Sequence, residues 1–212
     1  MANPEPPTDC QDAVACEGCD LRALALFADL TQADLTPDPA IQEIRLVAGS
    51  TLYRAGDRGT AIYTVRDGLL KLEQYLPVGT QRIVSLLRRG HVVGLEATVS
   101  DSYEHTAVAL HATRLCRLPT EVVKRLSGKL HRQLMKKWHE SVLQAHECTR
   151  ELATGSARQR IARLFLTLAP PDAPTCRLFG REDVGAVLGV TTETASRAVT
   201  DLKRSGDRRA HV

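Results

Sequence analysis

No run of about 18 or more uncharged apolar residues occurs in the 212-residue chain, so a membrane-spanning helix and a membrane partner are not expected. The opening MANPEPPTDC is acidic and proline-rich and lacks the basic and apolar regions of a secretory leader, which points to the cytoplasm. No Ser/His/Asp arrangement and no phosphate-cradling glycine loop stands out, so an enzyme is not expected. His91, Glu96, His105 and His111 do not show the spacing of a metal-binding cup on adjacent strands. Six cysteines without a leader argue against a disulfide framework and for metal or redox use. Cys10, Cys16 and Cys19 crowd together, whereas Cys116, Cys148 and Cys176 are scattered.

The net charge of +3 is unevenly spread. Residues 1–120 hold 11 Lys and Arg against 15 Asp and Glu, and residues 121–212 hold 17 against 10. A basic C-terminal part on an acidic N-terminal part fits a nucleic-acid module joined to something else.

Hydrophobic periodicity changes along the chain. Leu21–Leu30 reads as a short amphipathic helix. From about Ala40 to Pro119 come short runs rich in Val, Ile, Leu and Tyr: Ile41–Leu46, Thr51–Tyr53, Ala61–Val65, Leu69–Tyr75, Gln81–Leu87, Thr106–Leu110 and Thr113–Leu118. Turn residues punctuate them, the pattern of an all-β sandwich or barrel. A long helix follows, from Leu130 to about Leu152. Leu134, Trp138, Val142, Ala145 and Leu152 form a narrow stripe on it, suited to a two-fold dimer contact. The same stripe also fits a helix packed on its own core. Ser156–Leu168 is a further helix, with Ile161, Leu164, Phe165 and Leu168 inward.

The last 30 or so residues carry the most specific pattern. Arg181–Leu188 has Val184, Val187 and Leu188 as an apolar face, and Gly189-Val190 makes a tight turn. Thr191–Gly206 then reads as a second helix, capped by Thr191 and ended by Gly206, with Ala195, Val199 and Leu202 inward. Glu193, Ser196 and Arg197 share another face near its start, with Thr191 and Thr192 beside them. An Arg fork suits guanine O6 and N7, and a carboxylate suits the cytosine amino group. An ordinary surface ion pair is the plainer reading of Glu193 and Arg197, but the G-V-T turn ahead of ETASR argues against it.

The segment D-V-G-x-x-L-G-V-T-x-E-T-x-S-R resembles the helix-turn-helix of the CRP/FNR transcription regulators, and most of all the FNR branch with its E-x-x-S-R. Tyr53, Gly56-Asp57 and Ile62–Gly68 likewise resemble the jelly roll of the cyclic-nucleotide-binding superfamily. The resemblance implies an α+β chain with an N-terminal jelly roll, a long dimerisation helix and a C-terminal helix-turn-helix of winged-helix type. The expected parts are a cysteine-rich loop (1–19), the jelly roll (20–125), the dimerisation helix (126–154) and the DNA-binding domain (155–212). It further implies a homodimer on double-stranded DNA at a TTGAT-like palindrome, acting with RNA polymerase. Arg197 would read the G·C pair, Glu193 its cytosine and Ser196 an adjacent base. The sequence given ends with DRRAHV after Gly206, so a truncated wing and weaker DNA binding are expected.

Cys10-x5-Cys16-x2-Cys19 resembles the iron–sulfur loop of FNR-type regulators, and Cys116 falls at the place of the fourth ligand. The order of the gaps is the reverse of that in the best-known members. By resemblance these four thiols hold a [4Fe-4S] cluster that senses oxygen or redox state. Zinc, or thiols acting without a metal, remain alternatives. Haem or another ligand in a CRP-like sensor is a lesser one. So is a zinc or thiol protein whose C-terminal helices only bind a partner. No cyclic nucleotide is expected, because Gly90–Thr113 contains no Arg or Lys for its phosphate. Cys148 and Cys176 read as plain thiols.

Overall fold

The computed structural model describes residues 41–169 and 177–204. The expected helix at Leu21–Leu30, the cysteines at positions 10, 16, 19 and 176 and the end of the chain past Arg204 lie outside the described residues. Two compact units divide the chain, residues up to 74 with 86–141, and 75–85 with 142–212.

The first unit is built on strands β1 (Gln42–Leu46), β2 (Thr51–Tyr53), β3 (Ala61–Asp67), β4 (Leu69–Tyr75), β5 (Gln81–Arg88), β6 (Val92–Val93), β7 (Thr106–Ala109) and β8 (Thr113–Pro119). They form two four-stranded sheets, ordered β1-β8-β3-β6 and β2-β7-β4-β5. Seven of these strands follow the expected runs to within a residue or two, and only the two-residue β6 has no counterpart. β1 and β3 flank β8 in antiparallel register, so Ile44, Leu115 and Val65 lie side by side on one face. Period-2 alternation then puts Glu43, Cys116 and Thr64 together on the other. Between the sheets the Tyr53 ring stacks on Tyr103 with centroids 3.7 Å apart, and Tyr63 lies 6.2 Å from Tyr53. The Tyr103 hydroxyl donates to the Ala61 carbonyl at 2.6 Å, so this buried phenol is satisfied.

After β8 the chain turns into helix α1 (Thr120–Arg125) and then the long helix α2 (Ser127–Leu152). Leu130 on α2 is fully buried, and Leu134 and Trp138 pack against the jelly-roll core. Burying such side chains contributes about 1.5–3 kcal/mol each and fixes which face of α2 looks inward. On the same inward face the ammonium of Lys137 donates to the Gly90 carbonyl at 3.3 Å and to Glu140 Oε2 at 2.8 Å. Those two partners are what make a buried lysine tolerable.

His91, beside Gly90, has a displaced titration. Its Nδ1 accepts the Arg88 backbone N–H at 3.3 Å, which needs the neutral ring. Burial, then the charges of Arg88 and Lys137, lower its pKa from 6.5 to about 4. The unfolded chain therefore takes up a proton below pH 6.5 that the folded chain refuses until about pH 4. Stability falls as pH drops through that window. Because the ring is partly exposed, the loss should be only about 1–2 kcal/mol. His91→Asn keeps an acceptor for Arg88, and urea unfolding at pH 7 and near pH 4.5 should show a correspondingly smaller acid loss for the variant. An equal loss in both proteins would contradict the assignment.

In the second unit, helices α3 (Ala157–Leu168), α4 (Arg181–Leu188) and α5 (Thr192–Arg204) pack together. Ser156 caps α3 in a capping box with Gln159. The last carbonyls of α2, which lack helical partners, are taken up by arginines of α3. Arg160 Nε donates to the Leu152 carbonyl at 2.6 Å, and Arg163 Nη1 donates to those of Glu151 at 3.0 Å and Thr154 at 2.8 Å. These half-buried basic residues therefore fasten the turn between two helices. The same unit holds the tip of the β4–β5 hairpin, where Gln144 Nε2 donates to Ser85 Oγ at 3.4 Å. No described helix is long and apolar enough to cross a membrane.

Candidate nucleic-acid interface and cysteine site

Helices α4 and α5 meet at a turn that only small residues permit. Gly189 ends α4 with φ +62°, the left-handed region, and its N–H bonds back to the Gly185 carbonyl. Val190 N–H donates to the same carbonyl at 3.0 Å. A Cβ on Gly185 would come within 2.7 Å of the Val190 carbonyl oxygen, so α4 and the turn touch backbone to backbone. Gly185→Val should cost about 2 kcal/mol or more by forcing them apart. We expect thermal melting of the full chain to show a lower C-terminal transition and operator binding to drop with it; an unchanged melt would mean the turn relaxes freely.

Thr191 caps α5, its Oγ1 accepting the Thr194 N–H at 3.2 Å. Ala195, Val199 and Leu202 are buried as their spacing requires, and Ala198, which the pattern did not single out, joins them. This inward face presents the opposite side of α5 to solvent. Thr192, Glu193, Ser196 and Arg197 are all exposed there. Glu193 and Arg197 form an i,i+4 ion pair with side chains 72% and 74% exposed. An exposed pair of this kind is worth only a few tenths of a kcal/mol. Both groups can therefore leave each other for base edges at little cost. Lys203 and Arg204 extend the exposed basic edge at the helix end, where they also complement the helix dipole.

The five residues expected to form one seam on α2 are divided. Leu134 and Trp138 pack on the jelly roll, Leu152 is buried in the second unit, and Val142 and Ala145 are exposed. The longest apolar groups of the stripe were claimed by the chain's own core. The large apolar side chains exposed on this helix are Met135, Val142 and Leu143.

Of the four thiols expected to act together, only Cys116 falls in the described residues. It is 4% exposed, forms no disulfide and sits on the central strand β8 with Glu43 and Thr64 directly opposite on either side. Such cross-strand neighbours have Cβ atoms about 5 Å apart. The Glu43 carboxylate beside the thiol is held by Arg45 at 2.9 Å and Arg66 at 2.8 Å. Sequence spacing could not show this, because register alone brings residues 43, 64 and 116 together. Among the described residues no three His, Cys, Asp or Glu side chains meet as a metal site. Cys148 is half-buried, and burial pushes its thiol pKa up, the behaviour of an inert thiol.

Two stretches of the chain match known families. Residues 43–129 match the family described as cyclic nucleotide-binding domain, and residues 179–206 match bacterial regulatory proteins, crp family. Transcriptional activator protein FnrA of Stutzerimonas stutzeri is 30% identical over 203 residues, covering 90% of this chain and 83% of the relative. The fumarate and nitrate reduction regulatory protein of Vibrio cholerae is 27% identical over 205 residues, covering 91% and 82%. In fold, the chain is similar to FixK2 of Bradyrhizobium japonicum, with TM-score 0.68, 24% identity and coverage of 78% and 86%. It is similar also to TTHB099 of Thermus thermophilus, with TM-score 0.67, 23% identity and coverage of 77% and 85%. With its jelly roll, its helix-turn-helix and a relative this similar along most of its length, the chain belongs to the CRP/FNR family of transcription regulators.

Proposed function

We propose that the protein is a cytoplasmic homodimer that reads a TTGAT-like palindrome and responds to oxygen or redox state through a [4Fe-4S] cluster. Cys10, Cys16, Cys19 and Cys116 would hold the cluster, and RNA polymerase would be the partner at the promoter. The observation that supports this reading is the placement of Cys116, a thiol anchored on an inner strand with Glu43 and Thr64 beside it. Soft thiolate donors suit iron–sulfur centres. When bound, the cluster supplies a group whose stability depends on oxygen. Cys116 contributes one rigid anchor, while the other three thiols belong to a single short stretch. Relatives named fumarate and nitrate reduction regulatory protein and anaerobic regulatory protein support the same kind of signal.

The jelly roll offers little to a cyclic nucleotide. Gly94 and Glu96 are present, but Gly90–Thr113 supplies no Lys or Arg to meet a phosphate. The stacked tyrosines also occupy space between the sheets.

On α5, Arg197 and Glu193 read a G·C pair and Ser196 an adjacent base, with Thr191 fixing the helix start. Iron, sulfide and zinc analysis of anaerobically purified protein tests the sensor. About four iron and four sulfide per chain are expected. One zinc and no iron would replace the cluster with a structural metal.

A further inference from the structure

The tip of the β4–β5 hairpin reaches the turn between α4 and α5, and both belong to the second unit. Gly189 brings no side chain to that turn, and the Arg82 guanidinium fills the place of one. A Cβ on Gly189 would lie 2.9 Å from both Cζ and Nη2 of Arg82, with Nη1 nearer still. The fork of the arginine, and not its stem, therefore meets the turn. Arg82 is half-buried, as a side chain laid against protein should be. The charge suits the place as well. Gly189 is the C-cap of α4, whose last turn holds no basic residue of its own. A helix C-terminus presents unpartnered carbonyls and partial negative charge, and here a guanidinium from another element supplies the complement. The Gln144–Ser85 hydrogen bond ties the same hairpin to α2. On that helix Cys148, whose thiol pKa burial raises, feels the Arg82 charge as an opposing pull.

We infer that Arg82 is a positioning residue for DNA reading, bracing the α4–α5 turn from the hairpin side and so fixing where α5 begins. The inference rests on the reading of α5 as the base-contacting helix and adds to it a residue of the hairpin. Thr191, the cap of α5, follows Gly189 by two positions, so a shift of the turn is a shift of the helix start. Glycine adopts many backbone conformations, and a turn built on it keeps one only while its surroundings hold it. Gly185 holds this turn on the inner side, backbone to backbone, and Arg82 holds it on another. Base edges are read through hydrogen bonds with narrow limits of distance and angle. Phosphate contacts carry no sequence information and are met by long side chains that follow small displacements. Loss of the brace therefore costs sequence preference before it costs DNA binding as such.

Fluorescence anisotropy of the full chain, handled anaerobically, with palindromic and random duplexes tests this. Arg82→Ala should weaken palindrome binding about tenfold, the size of one coupled contact, and random-duplex binding by less than about twofold. Arg82→Lys keeps the charge without the planar fork and should recover palindrome binding to within about threefold of the wild type. Gly189→Asn keeps a left-handed cap but puts a side chain where the guanidinium lies, so it should also cost about tenfold. Because both substitutions break one contact, the double variant should bind within about twofold of Arg82→Ala. Circular dichroism of each variant keeps a lost fold apart from a lost brace, and the two Arg82 variants decide the matter if Gly189→Asn does not fold. An Arg82→Ala loss equal on both duplexes would make the residue a phosphate contact and overturn the inference, as would losses that multiply in the double variant. Unchanged preference in Arg82→Ala overturns it too and leaves the reading of α5 standing. A wild-type chain with no preference for the palindrome would remove that reading and this inference together.

Discussion

Arg197→Ala should weaken binding to the palindrome about 5- to 150-fold, corresponding to about 1–3 kcal/mol, while binding to random DNA stays nearly the same. The guanidinium is 74% exposed and pairs with Glu193 alone on an open face, so its removal should not disturb the helix. The inward face of α5 rests on Ala195, Ala198, Val199 and Leu202, none of which Arg197 supports. The loss should fall on the G·C pair it reads, and changing that pair in the DNA should no longer matter to the variant. Lys203→Ala gives the contrast. Lys203 is exposed at the end of α5, and its removal should weaken every sequence alike and lower the salt dependence by about one counterion. Fluorescence anisotropy with specific, base-substituted and random duplexes separates the two. An Arg197→Ala loss equal on all three would mean that the arginine meets phosphate and not a base.

Cys116→Ser should remove most of the iron from anaerobically prepared protein, with less than one iron per chain remaining. Serine keeps the shape of the side chain but is a poor ligand for a soft iron centre. The buried hydroxyl has Thr64 and Glu43 as neighbours across the strands, so the jelly roll should stay folded at a cost of about 1–2 kcal/mol. Cys148→Ser should leave the iron content unchanged, because that thiol stands on α2 in surroundings that favour its protonated form. Iron analysis and thermal melting of the two variants side by side make the comparison. Full iron in Cys116→Ser would exclude the thiol as a ligand.

The helix-turn-helix was legible because local signals agreed. Val184, Val187 and Leu188, then Gly189, then Thr191 and the Ala195–Val199–Leu202 face each state a local requirement, and all hold in the structure. The strands were legible for the same reason, except β6, where two residues are too few to show alternation. The long helix was harder. Leu134, Trp138 and Val142 follow one another at helical spacing, yet the first two serve the core while the third is exposed. A helix that faces both a core and solvent carries two stripes, and periodicity favours the more apolar one. The surroundings of Cys116 were not legible, since strand register decides that Glu43 and Thr64 stand beside it. Nor was the membership of the hairpin tip in the second unit, which depends on pairing over long sequence separations.

The most direct test of a regulator that couples a cysteine-held centre to DNA reading is operator affinity in one sample before and after air. Anaerobic full-length protein should bind a TTGAT-like palindrome at moderate salt with clear preference over random duplex. Admitting air should abolish that preference, and the loss should follow the loss of iron. Equal affinity and equal preference in both states would contradict the account.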